Sequence, residues 1–339
     1  MDQTIPLSRF VIAGRLTQDF RITFKNKIIR NEIGGSLVYA AIGTAIWETN
    51  IALLSRVGPS YPREWIEKLS QKGFDIRGIR TISQEIDHRY FNAQLDPESS
   101  SSENPVQVFT RLGEPFPKEL LGLSPLTSQI NSRNQPTAES TRLSDIPPDY
   151  LDATAAHVCP IDFVSHSLLT SALRQGHITT ITLDPAAGYM HPAFWDDLPV
   201  VFHGVTAILC SLEKLKTLYQ GRSTEPWEMA EGLAAMGCDI VVVKNGMQGQ
   251  MVYNHASHAR LIVPAYPARL EDPYGTGDAF CGGFLAGFRN TYDPLLACLH
   301  GNISASIIME GTDPFYGLDT LPGLAKARLE ALKDMVRKI

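Results

Sequence analysis

The residues best equipped for chemistry lie between Arg269 and Phe288, in the stretch RLEDPYGTGDAFCGGFLAGF. An acidic turn at Glu271, Asp272 and Pro273 runs into Gly275-Thr276-Gly277, then Asp278, then small and aromatic residues. Pro273 fixes the turn, and the glycines let backbone N–H groups approach a ligand closely. Residues 278–288 suit a buried helix, although Gly282, Gly283 and Gly287 would each cost an isolated helix about 1 kcal/mol. Such glycines imply a close neighbour. A glycine turn that feeds a helix N-terminus is an anion hole. Asp278 would repel a bound anion, so a carboxylate there makes sense as a base that takes a proton while the amides hold developing negative charge. That pairing describes phosphoryl transfer to a hydroxyl. A plain helix N-cap is the simpler role for an aspartate here, but the surrounding glycines favour the base.

These residues need a scaffold. Phe10–Gly14 and Ile51–Gly58 read as buried strands that end at glycine. Gly34-Gly35-Ser36 precedes an Ala- and Ile-rich helix over 37–47, and 62–72 reads as an amphipathic helix closed by Gly73. Strand–helix alternation resumes from Ala155, with strands at 156–160, 179–184, 206–209 and 240–244 and helices at 162–175, 227–236, 294–309 and 323–337. The pattern predicts an α/β fold, its parallel sheet covered on both faces. Between the two halves, Ile22-Thr23-Phe24 and Ile28-Ile29 flank a charged tip as a hairpin, and 86–95 and 106–110 read as extended segments around the polar stretch DPESSSSENP. Together they would form a small sheet over the core, a lid. The span 113–149 reads as irregular connection with some short turns.

With 44% hydrophobic and 19% charged residues and a net charge of −6, the composition is that of an ordinary soluble protein without a nucleic-acid surface. There is no apolar run long enough for a membrane helix, and the N-terminus MDQTIPLSRFVIAG has no signal pattern, so a cytoplasmic location is expected. Cys159, Cys210, Cys238, Cys281 and Cys298 form no CxxC pair and are expected as free thiols; the nine histidines are scattered.

The order of these pieces resembles the PfkB, or ribokinase-like, family of carbohydrate and nucleoside kinases. Its C-terminal signature D-T-x-G-A-G-D is similar to Asp272-Pro273-Tyr274-Gly275-Thr276-Gly277-Asp278, and its double-glycine signature resembles Gly34-Gly35-Ser36 and the helix that follows. The resemblance implies a three-layer α/β/α sandwich: a single domain over 1–339 with a mainly parallel central sheet and a β lid from segments 20–33 and 85–112. It implies ATP and Mg²⁺ as cofactors, with K⁺ as a further candidate, and a sugar or nucleoside as substrate. Asp278 would be the base, and Gly275, Thr276 and Gly277 the anion hole. Asp19, Gly34, Gly35 and Tyr39 would face the acceptor. Lys244, Asn245, Gly246, Gly249 and Asn302 would lie along the nucleotide. Glu213 would meet Mg²⁺ through water, and Asp272 with the 308–313 turn would hold a monovalent cation.

Several positions depart from the family pattern: Pro273 stands for Thr, Thr276 for Ala, Cys210 for the Asn of N-x-x-E, Tyr39 for an Asn that often touches the sugar, and Gly58-Pro59-Ser60 for an acidic element near the sugar end. Pro273 and Cys210 favour an alternative reading, a catalytically weak sugar- or nucleotide-binding relative. A dinucleotide-dependent oxidoreductase is disfavoured, since no G-x-G-x-x-G follows the first strand. A homodimer through the lid is the expected assembly, with Phe24, Tyr90 and Phe91 as exposed apolar residues.

Overall fold

The computed structural model describes residues 9–123 and 131–335 and the backbone of 337–338. The N-terminal stretch before Arg9 and the 124–130 part of the expected connection lie outside the described residues.

Strand β1 (Phe10–Ala13) alternates its side chains across the sheet, sending Val11 and Ala13 into one apolar cluster and Phe10 and Ile12 into another. The chain then leaves the main sheet for β2 (Thr17–Ile22) and β3 (Ile28–Gly34), and returns through α1 (Ser36–Ala45), β4 (Ile51–Val57), α2 (Arg63–Gln71) and β5 (Asp75–Thr81). A second excursion makes β6 (Arg89–Gln94), β7 (Ser100–Ser101) and α3 (Pro105–Leu112). Short 3₁₀ turns lead to β8 (Ala155–Val158), α4 (Phe163–Gln175), β9 (Thr180–Leu183), α5 (Leu198–Phe202), β10 (Val205–Ser211), α6 (Leu212–Leu218), α7 (Pro226–Ala234) and β11 (Cys238–Lys244). The remaining elements are β12 (Gln250–Asn254), β13 (Ala259–Val263), α8 (Thr276–Thr291), α9 (Pro294–Ile308), α10 (Leu324–Lys333) and β14 (Arg337–Lys338).

The main sheet runs β14-β13-β12-β11-β10-β9-β8-β1-β4-β5, parallel from β11 to β5 and antiparallel beyond β11. One face carries the core of α4, α5, α6 and α7; the other carries α1, α2, α8, α9 and α10. The result is the expected α/β/α sandwich. Among the described residues, no helix is long and apolar enough to cross a membrane.

The glycines of α8 do have close neighbours. A Cβ on Gly282 would lie 1.9 Å from the Ala40 carbonyl oxygen of α1, and one on Gly283 would lie 2.3 Å from Ser304 Oγ of α9. Close contact of this kind fixes α8, and hence its N-terminus, against two helices. Gly282→Ala is expected to cost about 1–3 kcal/mol through overpacking, read as a lower urea midpoint at unchanged slope. An unaltered midpoint would mean that α1 moves aside freely.

The small sheet has the order β3-β2-β6-β7, and it begins at Thr17, three residues before the expected boundary. The expectation of a strand at 106–110 is corrected: this segment is α3, with Pro105 in its first turn and Gly113 at φ +69° after its end. Part of the polar stretch expected as loop pairs as β7. Helix α3 has a consequence for assembly. Phe20, Ile22, Phe91 and Ala93 on one sheet face pack with Phe109 and Leu120, so the chain itself covers Phe91, one of the three residues offered to a second copy. Phe91 is buried and Tyr90 only partly exposed.

Candidate active site

Helix α8 starts at the αL residue Gly275 (φ +75°), where a Cβ would fall 2.2 Å from the Tyr39 ring. Thr276 closes the preceding turn, donating through its hydroxyl to the Pro273 carbonyl at 2.7 Å. The turn is therefore intact with proline at 273. The first intrahelical bond is donated by Ala279 N–H to Gly275 (2.9 Å), so the Gly277 and Asp278 amides precede the helical ladder. Asp278 sits in this first turn, partly exposed at the wall of a cavity of about 580 Å³. Burial pushes its carboxyl up to about 6; the nearby Asp184 adds to the rise, and Lys244 opposes it. A carboxylate tuned in this way is a base near neutral pH.

The cavity beside Asp278 is lined by part of the residue set expected at the acceptor. Gly35 and Ser36 line it at the start of α1, with Arg15, Thr17, Tyr90 and Tyr274 around them. Gly35 takes φ +100°, and a Cβ there would lie 2.2 Å from the Arg15 carbonyl oxygen. Of the other expected acceptor residues, Asp19, Gly34 and Tyr39 are buried and line neither this cavity nor the next. Asp19 lies behind Gly34, whose Cβ would be 1.9 Å from the carboxylate, and it accepts from the Thr17 hydroxyl at 2.5 Å. Burial raises its carboxyl to about 6. Tyr39 packs under the turn, edge-on to Tyr274 at 5.5 Å, so it supports the anion hole from below.

A second cavity of about 420 Å³ lies across Tyr90 and Tyr274, which line both. Gly275, Thr276 and Gly277 form its inner end, with Lys244, Gly246, Tyr266 and Asn302 along it. Asn302 receives the Tyr266 N–H (2.9 Å) and donates to Gln250 (2.9 Å) and the Pro264 carbonyl (2.7 Å), so its amide shapes the wall. Asn245 and Gly249 stand back from the cavity and form the turn: the Asn245 N–H donates to Gly249, which takes φ +89°.

Two residues beside the site, Asp184 and Lys214, escaped the sequence reading. Asp184, buried just after β9, accepts from Lys214 Nζ at 2.6 Å and from Lys244 Nζ at 2.7 Å. Burial alone would raise its carboxyl, but the two ammonium groups outweigh this and hold it down at about 2. Lys244 also donates to the Gly277 carbonyl at 3.2 Å, so the charge cluster touches the anion hole. The expected metal-side acid, Glu213, is exposed in the first turn of α6 and lines neither cavity, while its neighbour Lys214 turns inward to Asp184. The only sequence sign of this cluster was the acid ending the strand at 179–184. Among the described residues, no group of three His, Cys, Asp or Glu is arranged to hold a metal by itself.

Residues 150–320 match the model of the pfkB family of carbohydrate kinases. The chain belongs to that family. A cytidine kinase of Thermococcus kodakarensis is 25% identical over 266 residues, which cover 78% of this chain and 83% of that protein. The crystal structure of a Burkholderia thailandensis nucleoside kinase with inosine superposes with a TM-score of 0.67 at 17% identity, covering 97% of this chain and 100% of that one. A fructokinase of Vibrio cholerae, bound to fructose, ADP and potassium ion, gives a TM-score of 0.66 at 18% identity, with 96% of this chain and 98% of that one covered. These likenesses show the ribokinase-like fold, and family membership makes the chain a PfkB-type carbohydrate kinase.

One residue set expected from the PfkB pattern does not fit its group. Asp272 and the 308–313 turn would hold a monovalent cation, yet the Arg21 guanidinium lies between them. Arg21 Nη1 donates to Asp272 Oδ2 at 2.5 Å and Nη2 to the Thr312 carbonyl at 2.7 Å. Both oxygens already carry a positive partner, and no step is assigned to a bound monovalent cation.

Proposed function

We propose that this PfkB-family chain transfers the γ-phosphoryl group of ATP to a hydroxyl of a neutral acceptor, with a nucleoside preferred. The carrying observation is the position of Asp278, on the acceptor cavity, one residue from amides that end the second cavity. In this reading the acceptor hydroxyl loses its proton to Asp278 as it attacks in line, and the Gly275–Gly277 turn receives the charge that spreads over the transferring group. Lys244, anchored on Asp184, stands at the phosphate end, and Tyr266 and Asn302 stand on the wall where a base would lie. Mg²⁺ would arrive on the nucleotide phosphates and would supply charge neutralisation for the transferring group. Glu213, with no ion pair among the described residues, is the carboxylate that would meet its water shell. The small sheet contributes Tyr90 to both cavities, a position from which closure would exclude water.

The acceptor preference rests on the cavity wall. Glu85, Asp87, Glu139, Asp162 and Asp278 line it against a single cation among the described residues, Arg15, which is already paired with Glu139. Such a wall repels sugar acids and sugar phosphates, and its aromatic members Tyr90 and Tyr274 offer faces to a nucleobase. Similarity to the cytidine kinase supports the same choice. The test is a coupled ADP-release screen over nucleosides, neutral sugars and sugar acids, run beside thermal-shift measurements. Turnover strongest with a nucleoside is expected. Thermal shifts with ligands but no turnover would favour the binding-protein reading instead, and turnover confined to sugar acids would refute the acceptor class.

A further inference from the structure

Arg21 is a buried lid-sheet residue whose carboxylate partner lies 251 positions away in sequence; its two terminal nitrogens are bonded, while its Nε has no partner among the described residues. Besides Asp272 and the Thr312 carbonyl, its guanidinium approaches Glu32 at 3.3 Å and stands over the Tyr274 ring, 4.6 Å from the centroid. Asp272 in turn accepts the Tyr274 N–H at 3.1 Å through its other oxygen. One side chain thus joins β2, the turn that leads into α8, and the turn after α9. Two neighbours act in parallel: Lys25 pairs with Glu271 at 2.6 Å and Lys27 donates to the Thr312 hydroxyl at 2.7 Å. Those two lysines are exposed and weakly held by comparison. Arg21 is the buried member, and its fixed charge and planar donors match a carboxylate and a carbonyl together.

We infer that the Arg21 guanidinium is a tethered, built-in cation that sets the 272–277 turn, and that this kinase uses no exchangeable monovalent cation there. A free ion must be drawn from solution into a buried site at each binding event. A guanidinium fixed on β2 is always present, and it repels any second cation from the same two oxygens. Arg21 is a positioning residue: it touches the anion-hole turn through Asp272 and never the reacting atoms. The inference rests on the proposed kinase reading for its kinetic consequence but not for its thermal one.

The wild-type protein is compared in K⁺ and in tetramethylammonium at matched ionic strength, first by melting temperature without nucleotide, then by initial rates with Mg²⁺, ATP and the best acceptor. Neither quantity is expected to change more than marginally. Arg21→Ala is expected to melt lower, to lose roughly tenfold in kcat with a smaller change in acceptor KM, and to regain part of both losses in K⁺ or guanidinium but not in tetramethylammonium. Arg21→Lys is expected between the two. A wild-type melting temperature or rate raised severalfold more by K⁺ than by tetramethylammonium overturns the inference, and so does an Arg21→Ala protein that neither cation restores. If the proposed kinase activity itself fails, no rate exists in any salt, whereas the melting comparison still decides the cation question.

Discussion

Asp278→Asn is expected to lower kcat by about 10²-fold or more while leaving nucleotide and acceptor binding near wild type. The amide keeps the shape of the side chain and its place in the first turn of α8. It cannot accept the acceptor's proton at neutral pH, so the loss falls on the chemical step. The same residue sets the acid limb of the wild-type pH profile. Its carboxyl is raised to about 6, chiefly by burial, so the base form dominates above that pH and is lost as pH falls through it. kcat/KM is therefore expected to decline below about pH 6, well above the range of an ordinary carboxylate. Both measurements are steady-state kinetics on the purified protein. Near-normal kcat in the asparagine variant would remove Asp278 from the mechanism, even if the pH limb persisted through another group such as Asp19, which burial also raises to about 6.

The strands and helices around this site were legible because their signals are local. Phe10–Ala13 and Ile51–Val57 are apolar runs of strand length that end at Gly14 and Gly58, and both form parallel neighbours in the sheet. The misread element had a competing local signal. Val106, Val108, Phe109 and Thr110 carry β-branched and aromatic character, but Pro105 before them and Gly113 after them frame a helix whose buried Phe109 packs on the small sheet. Strands β12 and β13 went unread because polar residues, Gln250 and Asn254 in the first and Arg260 in the second, leave only short apolar runs.

Site chemistry divided along the same line. The Gly275–Asp278 turn could be read because its parts are contiguous. The partners of Asp184 lie 30 and 60 residues away, and the partner of Arg21 lies 251 away, so no window of sequence contains either contact. A one-residue offset also matters on a helix: Glu213 and Lys214 are about 100° apart around α6, and it is the lysine that reaches the interior. The Tyr39 case is different again. The sequence made it a candidate for contact with the acceptor, but Gly275 lacks the Cβ that would strike its ring, and the tyrosine fills that space beneath the turn.

The second large effect concerns Asp184. Asp184→Asn is expected to destabilise the protein by roughly 3–5 kcal/mol at pH 7, since it leaves Lys214 and Lys244 as ammonium groups in a largely buried setting without their counter-charge. Lys214→Met should cost less, because Lys244 still neutralises the carboxylate. The pH dependence has a definite sign. Asp184 is held at about 2 in the folded protein, below its ordinary value, so its stabilisation is fully present above the unfolded value near 4 and is lost as pH falls toward 2. The stability gap between wild type and Asp184→Asn should therefore shrink over that window in denaturant titrations. Asp278 and Asp19 act in the opposite sense, gaining protons in the folded state first as pH falls below 6; Asp19 is common to both proteins and cancels in the difference, whereas the part of the Asp278 rise that Asp184 causes does not. The link to catalysis is separately measurable. Asp184 is a like charge that helps raise the Asp278 carboxyl, so its removal should move the acid limb of kcat/KM below the wild-type position. A limb that stays at about 6 in Asp184→Asn, with the stability loss observed, would confine Asp184 to the scaffold and leave burial alone to tune the base.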